Sequence, residues 1–269
     1  AGKSTLLKII VGELTADSGD VVLSKGKTMG YLAQHQDLES NRSLYEELRE
    51  VKRPIIEMEQ QIRTLELQMK DASGEKLEQM LSAYSRLNHT FELENGYAWQ
   101  SEITGVLKGL GFSEEEFGKQ ISTLSGGQKT RISLGKLLLS RPDIILLDEP
   151  TNHLDMESIA WLENYVKGYD GAVIIVAHDR YFLNRVVGKV LELEQGRGSV
   201  YLGNYTAYSE KKALLRAAQM KAWLNQQQEI RHQEEVITKL KSFNREKSIK
   251  RAESREKMLA KIEVLEKPA

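Results

Sequence analysis

A serine-glycine-glycine turn near the middle of the chain combines residue types that could bind a phosphate. Ser125 stands three residues before Gln128, the spacing of a helix capping box, and predicts a helix that runs to about Leu139. Gly126 and Gly127 have no side chains, so their backbone N–H groups can approach a phosphate closely while Ser125 hydrogen-bonds it. Taken alone, such a turn is most often an ordinary capped helix.

A second motif is an apolar segment, Ile144–Leu147, followed directly by Asp148 and Glu149. Such a run predicts a buried strand of a parallel sheet, and α/β folds bind ligands at the carboxyl ends of these strands. The next predicted strand, Val173–Ala177, ends at His178 after a helical crossover. We therefore expect Asp148, Glu149 and His178 to converge at one sheet edge, although a lone histidine at a strand end is usually structural.

The chain opens on Ala1–Thr5, which matches the end of a phosphate-binding loop, G-x-x-x-x-G-K-[ST]. In a complete loop, backbone amides hold the β- and γ-phosphates, Lys3 neutralises their charge and Ser4 coordinates Mg²⁺. By itself, Gly-Lys-Ser is common by chance. The first glycine of the loop and an initiator methionine are both absent from the sequence, so we expect a fragment whose opening strands lie upstream.

A glutamine could complete a metal site beside the first strands. Val21–Leu23 and Lys27–Leu32 are strand-like, and Gln34 follows the second segment. The side-chain carbonyl of a glutamine leaving a strand edge can reach Mg²⁺ and an attacking water, and Gln34 suits this position better than Gln36. Alone, such a residue is an ordinary polar loop residue.

Length and composition are typical of a soluble intracellular protein with one large domain and an appendage. The 269 residues are 40% hydrophobic, which is enough for a core, and include no cysteine, which excludes disulfides and thiolate zinc sites. The longest apolar runs, such as Ala172–Ala177, are far too short to cross a bilayer, and nothing resembles a signal peptide.

Helical periodicity dominates two regions of the chain. Apolar residues at three- and four-residue spacing predict one long helix over 44–69, a break at Asp71–Gly74 and a second helix to about Phe91, together an antiparallel hairpin. Another long helix is predicted over 208–241, followed by a tip and a return helix that carries Met258, Leu259, Ile262 and Leu265.

A net charge of −1 hides an asymmetry between the two ends of the chain. From Thr206 onward there are 15 Lys or Arg and 9 Asp or Glu, a net of +6, and the remaining 23 basic and 30 acidic residues before it give −7. The basic residues concentrate over 247–255, which we expect near the tip ahead of the return helix. This pattern favours contact with a polyanion, and a solvated charged helix is the alternative.

Five ordered motifs over 1–204 make the chain resemble the ATP-binding cassette (ABC) ATPases. The resemblance implies an α/β fold, a P-loop NTPase of ABC type with a parallel sheet core, a helical subdomain and a β-subdomain, followed by an α-helical hairpin linker. It implies ATP and Mg²⁺ as ligands, with Glu149 polarising the attacking water, His178 as the γ-phosphate switch and Gln34 acting on the metal and its waters. The other implied site residues are Gly2, Lys3, Ser4, Thr5, Ser125, Gly126, Gly127, Gln128 and Asp155 for the nucleotide, and Ser4, Gln34 and Asp148 for the metal.

In ABC ATPases the serine-glycine turn acts on nucleotide held by an opposite ATPase domain, so two domains must meet to hydrolyse ATP. The amino-acid sequences of three motifs resemble the ABC-F group in particular: Pro150–Asp155, Ala177–Phe182 and Gly203–Tyr205. These proteins carry two ABC domains on one chain, lack membrane domains and mostly act on ribosomes. The resemblance therefore implies a second ABC domain on the same chain, no direct membrane insertion and a cytoplasmic location, with this chain alone weak or inactive as an ATPase.

The ABC-F resemblance also implies a domain organisation. An ATPase domain spans 1–204 with a helical insertion at 44–93, and a basic helical linker spans 205–269. In ABC-F proteins the linker contacts tRNA and ribosomal RNA, here through the cations around Lys247, Lys250, Arg251 and Arg255.

Two other classes share the core motifs. The ATPase subunit of a membrane transporter would explain them, but not a basic helical hairpin after the last strand. A chromosome or DNA-repair ATPase usually inserts a coiled coil between the phosphate loop and the serine-glycine turn, and the hairpin before Phe91 is too short for that. The sequence leaves open a role in antibiotic resistance or ordinary translation, and the preferred nucleotide base.

Overall fold

The computed structural model describes residues 2–33, 40–194, 196–243 and 245–267. The helices in these ranges are α1 (Lys3–Val11), α2 (Leu44–Val51), α3 (Arg53–Met69), α4 (Glu75–Leu93), α5 (Trp99–Gly109), α6 (Gly126–Ser140), α7 (Met156–Lys167), α8 (Arg180–Val186), α9 (Tyr205–Ser242) and α10 (Glu246–Leu259). The strands are β1 (Met29–Leu32), β2 (Ile144–Asp148), β3 (Ala172–Val176), β4 (Lys189–Glu194) and β5 (Arg197–Leu202).

The chain divides into two compact units. The first comprises Ala1–Val186 with Leu193–Ser199, and the second comprises Val187–Glu192 with Val200–Ala269.

The first unit is built on a parallel sheet of three strands in the order β1-β2-β3. The register places Leu147 of β2 opposite Leu32 of β1, and Asp148 opposite Val176 of β3. Residues 145–147 of β2 are buried because a central parallel strand is covered on both faces. The predicted unit of strand, crossover helix and strand is confirmed as β2, α7 and β3.

The segment predicted as one helix over 44–69 is two helices, α2 and α3. The prediction overlooked the proline that separates them. Pro54 stands in the first turn of α3, where its missing N–H is harmless, whereas inside a continuous helix it would remove a hydrogen bond. The predicted break at Asp71–Gly74 is confirmed, since Gly74 takes φ +63° before α4 begins. α3 and α4 pack together as the predicted hairpin.

The predicted strand over Val21–Leu23 is wrong. Val22 is 88% exposed, and no described residue pairs with this segment, so a strand there would have no partner for its N–H and C=O groups. Regular pairing starts just after Thr28, whose backbone N–H donates to Oδ2 of Asp143 at 2.9 Å. The Lys27 ammonium and Thr28 together lower the pKa of Asp143 to about 2 and join the starts of β1 and β2.

The second unit contains the helix pair α9 and α10, which pack against each other. The basic run over 247–255 was expected at a tip, but it forms the return helix α10 itself. The helix begins at Glu246, which forms an ion pair with Lys250 at 2.9 Å one turn on, and Ala252 is fully buried in the pair.

The return helix ends earlier than predicted, at Leu259, so Ile262 and Leu265 lie beyond it. There the Gln226 side chain of α9 accepts a hydrogen bond from the Leu265 N–H at 2.8 Å and donates to the Glu263 carbonyl at 2.9 Å. These two bonds hold the non-helical segment after Leu259 against α9. They give the Glu263 carbonyl and the Leu265 N–H the partners that a longer helix would otherwise supply.

Candidate functional site

Glu149 and His178 are in contact at the carboxyl edge of the sheet, as their positions after neighbouring strands predict. The backbone N–H of His178 donates to Oε2 of Glu149 at 3.2 Å, and Nε2 of His178 lies 3.5 Å from Oε1. The Glu149 side chain is 10% exposed and the His178 side chain 84%. The carboxylate is therefore shielded and oriented by a backbone donor, while the imidazole faces solvent.

The backbone of Glu149 is strained. Its φ is +53°, a left-handed conformation that costs a residue with a Cβ roughly 1–3 kcal/mol. Its N–H donates to the carbonyl of Val176 in β3 at 2.7 Å, which helps to hold this conformation. Strain of this kind persists only where the surrounding structure maintains it, and strained residues cluster at functional sites.

Asp148 is the last residue of β2 and is almost completely buried. Tyr31 of β1 lies beside it: burial, and then the negative charges of Asp148 and Glu13, raise the pKa of the Tyr31 phenol. A neutral phenol is therefore part of the surroundings of Asp148. Sequence reasoning missed Tyr31, because only the strand order shows that β1 is the neighbour of β2.

The residues of the phosphate-loop motif form the start of α1. Gly2 has φ +89°, a conformation that favours glycine, and its carbonyl accepts the Leu6 N–H at 2.9 Å. Lys3 and Thr5 are exposed and Ser4 is half-buried. α1 packs against β2, the strand that carries Asp148.

The donor set at this edge fits Mg²⁺. The Ser4 hydroxyl and the Asp148 carboxylate are oxygen ligands of the kind that Mg²⁺ prefers. Among the residues with described coordinates, no group of three or more His, Cys, Asp and Glu side chains could hold a metal without help. Mg²⁺ does not need such a group, because it retains waters and binds through one or two carboxylates plus phosphates. Gln34, the other predicted ligand, lies outside the described residues.

The serine-glycine turn has the predicted capping box. The Gln128 N–H donates to Oγ of Ser125 at 3.3 Å, and the Ser125 N–H donates to Oε1 of Gln128 at 3.0 Å. The turn opens α6, the helix predicted to begin there. The N–H groups of Gly126 and Gly127, which precede the capped Gln128, have no carbonyl partner within the helix, so the helix end can bind an anion.

Asp155 caps helix α7. Its Oδ1 accepts the Ser158 N–H at 2.8 Å, and hydrogen bonds from Ser158, with the charge of Arg131 as a further cause, lower the pKa of the Asp155 carboxyl. Two residues earlier, His153 lies against Gly127 of the serine-glycine turn. His153 and Arg131 were missed by sequence reasoning, because no local pattern indicates that α6 and the loop after β2 are neighbours.

Comparison with known proteins assigns these elements to a family. A family model described as ABC transporter matches residues 1–152, more than half of the chain, including the start of α1, the serine-glycine turn, Asp148 and Glu149. The chain belongs to the ABC transporter family. A second model with the same description matches residues 191–269 of this ABC chain, where α9 and α10 lie.

Several relatives cover most or all of the ABC chain. It is 44% identical over 268 residues to YdiF of Bacillus subtilis (strain 168), which covers 100% of this chain and 41% of the relative. It is 33% identical to ABC transporter F family member 2 of Arabidopsis thaliana, over 100% of this chain and 40% of the relative. It is 39% identical to the energy-dependent translational throttle protein EttA of Mycobacterium tuberculosis, over 79% of this chain and 37% of the relative. The resemblance to ABC-F proteins is confirmed.

The ABC chain spans about two fifths of the length of these relatives. Among solved structures it is similar to the archaeal ribosome recycling factor aABCE1, with a TM-score of 0.52 and 20% identity over 80% of this chain and 35% of that one. It is also similar to an ATP binding subunit of an ABC transporter, with a TM-score of 0.51 and 19% identity over 75% of this chain and 74% of that one. Both confirm the predicted ABC-type P-loop fold. No helix in the described ranges is both long and apolar enough to span a membrane.

Proposed function

We propose that this ABC chain binds and hydrolyses ATP as part of an ABC-F protein that acts on the ribosome, as a translation factor or a ribosome-protection factor. ATP closes two ABC domains, and hydrolysis reopens them. The contact between Glu149 and His178 carries the hydrolytic part of the proposal. The ribosomal part is supported by the relative EttA, whose name describes a translational throttle, and by F family member 2.

In the proposed mechanism Lys3 and the backbone amides after Gly2 hold the phosphates of ATP. Ser4 and Asp148, with Gln34 as a further ligand, would hold Mg²⁺, which would supply positive charge to neutralise the phosphates. Glu149 accepts a proton from the attacking water, because its carboxylate is shielded and held by the His178 N–H. The exposed His178 imidazole then hydrogen-bonds the γ-phosphate.

The serine-glycine turn is proposed to act on a different nucleotide. Ser125, Gly126, Gly127 and Gln128 bind the ATP held by a second ABC domain on the same chain, with Asp155 at the interface between the domains. The capping box supports this role, because it orders the turn, uses the Ser125 hydroxyl only as an acceptor and leaves the N–H groups of Gly126 and Gly127 without a partner inside the helix.

We also propose that residues 1–204 are the ATPase domain, with its helical insertion at 44–93, and that 205–269 are a linker that contacts tRNA and ribosomal RNA from a cytoplasmic protein. Lys247, Lys250, Arg251 and Arg255 are exposed on α10. Lys250 is ion-paired with Glu246, and Arg255 donates to Oε1 of Gln233 at 2.5 Å. Lys247 and Arg251 are therefore the better candidates for phosphate contacts.

The proposal is tested by co-sedimentation of ribosomes with the full-length protein carrying Glu149→Gln, in ATP and then in ADP. The substitution keeps the shape of the side chain but removes the base, which lowers ATP turnover by roughly 10²–10⁴-fold. We expect the variant to stay bound to ribosomes in ATP and to be released in ADP. Glu157→Gln, the same change at an exposed position of α7, is the matched control and behaves like the parent.

The possible failures of this experiment are distinct. Parent-like ATP turnover by the Glu149→Gln variant would show that Glu149 is not the base. Reduced turnover without ribosome binding in either nucleotide would reject the ribosomal assignment alone. In that case the ATPase subunit of a membrane transporter becomes the working alternative, and membrane-domain partners are the next binding test.

A further inference from the structure

Gly127 of the serine-glycine turn lies in close contact with His153 of the loop that follows β2. A Cβ atom added at position 127 would lie 3.0 Å from Cγ of His153 and 3.1 Å from both its Cβ and its Nδ1. These distances are shorter than ordinary van der Waals contacts, so no larger residue fits at 127 while His153 keeps its place. The neighbouring glycine differs, because a Cβ at Gly126 would meet nothing within 4 Å.

The position of His153 is set by the backbone rather than by a side-chain rotamer. Its φ is +68°, and the Leu154 N–H donates to the Thr151 carbonyl at 3.2 Å. The same short loop begins at Glu149, whose carbonyl accepts the Asn152 N–H at 3.2 Å. Since the crowding at Gly127 involves the Cβ of His153, rotation of the imidazole cannot relieve it.

Further along the same two segments, Arg131 of α6 lies near Asp155 of the loop. A Cβ at Gly111 would lie 3.2 Å from Nη1 of Arg131 in α6 and 3.4 Å from Oδ2 of Asp155, so the guanidinium and the carboxylate flank one small space. Arg131 is held there by a hydrogen bond from Nη1 to the Leu110 carbonyl at 3.0 Å and by stacking 4.7 Å above the Phe112 ring. Helix α6 therefore contacts the loop at Gly127 and His153, and it places the Arg131 charge where it helps to lower the pKa of Asp155.

We propose that His153 is a positioning residue that sets the serine-glycine turn in a fixed place relative to Glu149. On this view Gly127 has no side chain because His153 occupies that space, whereas Gly126 has none because the phosphate of the second domain approaches it. The inference rests on the proposed function in one respect only, that the turn acts on ATP held by a second ABC domain.

The two glycines provide a matched experiment in the full-length protein. Gly127→Ala forces the loop to shift by a few tenths of an ångström, and we expect ATP turnover to fall several-fold, less than the roughly 10²-fold that a misplacement of about 1 Å can cost. His153→Gly removes the ring and the Cβ and accepts φ +68°, so Gly127→Ala combined with His153→Gly returns to the turnover of His153→Gly alone. Gly126→Ala also lowers turnover, and His153→Gly does not rescue it.

Two further readouts separate positioning from general damage and from the proposed function. His153→Gly alone lowers kcat but leaves equilibrium binding of ATP unchanged, because Lys3 and Ser4 hold the nucleotide of this domain. In thermal unfolding without nucleotide, Gly127→Ala lowers Tm by about 2–4 °C and His153→Gly relieves that decrease. This second cycle needs neither ATP hydrolysis nor ribosomes, so it tests the contact even if the proposed function fails.

Several outcomes would overturn the proposal. A double variant as inactive as Gly127→Ala alone would mean that Gly127 serves the phosphate directly. Equal rescue of Gly126→Ala by His153→Gly would mean that the effect is not specific to the contact. Additive changes in Tm for Gly127→Ala and His153→Gly would mean that the two residues do not interact.

Discussion

At the scale of single residues, backbone strain is concentrated in the loop after β2. Of the four described non-glycine residues with positive φ, Glu149 and His153 lie within five positions of each other, while Asn95 and Arg141 are elsewhere. Strained residues persist only where their surroundings maintain them, and here hydrogen bonds from β3 and within the loop do so. The base proposed for hydrolysis and the residue proposed to position the turn therefore share one constrained segment.

Asp155 belongs to the same segment and gives a prediction at this scale. Asp155→Ala removes the oxygen that caps α7, and we expect the free energy of unfolding to fall by about 1 kcal/mol, the usual effect of losing an N-cap. Asp155→Asn retains an acceptor and is destabilised much less. Denaturant unfolding of both variants measures this difference, and equal stability of the two would show that the cap is not what Asp155 contributes.

At the scale of elements, a buried carboxylate joins α2 to α6. Glu47 of α2 is 4% exposed, accepts a hydrogen bond from Oγ of Ser40 at 2.9 Å, and forms an ion pair with Lys136 of α6. Burial raises the pKa of Glu47, but the hydrogen bonds from Lys136 and Ser40 outweigh it, so the pKa lies below its usual value. The helix that presents the serine-glycine turn is thus fixed to the helical insertion.

Lys136→Met tests this connection, because it removes the nearer cation of the buried Glu47 carboxylate and leaves only Arg42, whose Nη1 lies 3.8 Å from Oε2. We expect a decrease of about 1–3 kcal/mol in the free energy of unfolding at neutral pH. A carboxyl with a lowered pKa stabilises the fold above its unfolded pKa, near 4.5, and the stabilisation disappears as the pH falls. The difference in stability between the variant and the parent should therefore be largest at neutral pH and shrink as the pH falls below about 4.5.

The matched control for this prediction is Lys108→Met. Lys108 and Glu114 form an ion pair with both side chains more than half exposed, and such pairs contribute little to stability because solvent screens them. Denaturant and acid titrations of both variants, followed by circular dichroism, give the comparison. If Lys108→Met destabilises the protein as much as Lys136→Met, burial of Glu47 does not explain the effect.

At the scale of the whole molecule, charge is divided along the chain, with a net of −7 before Thr206 and +6 from there on. The basic segment from Thr206 onward contains nearly all of α9 and all of α10, and the longer acidic segment before it contains the parallel sheet and the residues proposed to bind nucleotide. A positively charged segment suits the proposed association with RNA, since Lys and Arg that neutralise phosphates release counterions.

Substitution of Lys247 and Arg251 by Gln tests this association. Removing one cation that binds a phosphate should reduce the slope of log affinity against log salt by about 0.7 for single-stranded RNA, and ribosome binding should weaken while ATP turnover stays the same. Arg216 and Lys221, exposed cations of α9 outside the basic run, are the matched control and are changed to Gln in the same way. Equal slopes for the two double variants would show that the basic run is a solvated charged helix and does not bind RNA.

The short-range features of this protein could be predicted from its sequence. The capping box of Ser125 and Gln128, the strand ending at Asp148 and the helix over Met156–Lys167 all appear in the structure where they were predicted. Each depends on residues within a few positions of one another, so spacing and side-chain type are sufficient to determine it. The meeting of Glu149 and His178 was also predictable, because parallel strands bring their carboxyl ends to one edge.

Only the tertiary structure decided which distant segments touch. The apolar Val21–Leu23 has strand-like composition but no partner among the described residues, and the basic run forms a helix because its small Ala252 packs within the pair with α9. The contact of His153 with Gly127 likewise depends on how α6 lies against the loop after β2. Sequence patterns report the preferences of each segment, whereas burial and steric contact are properties of two segments together.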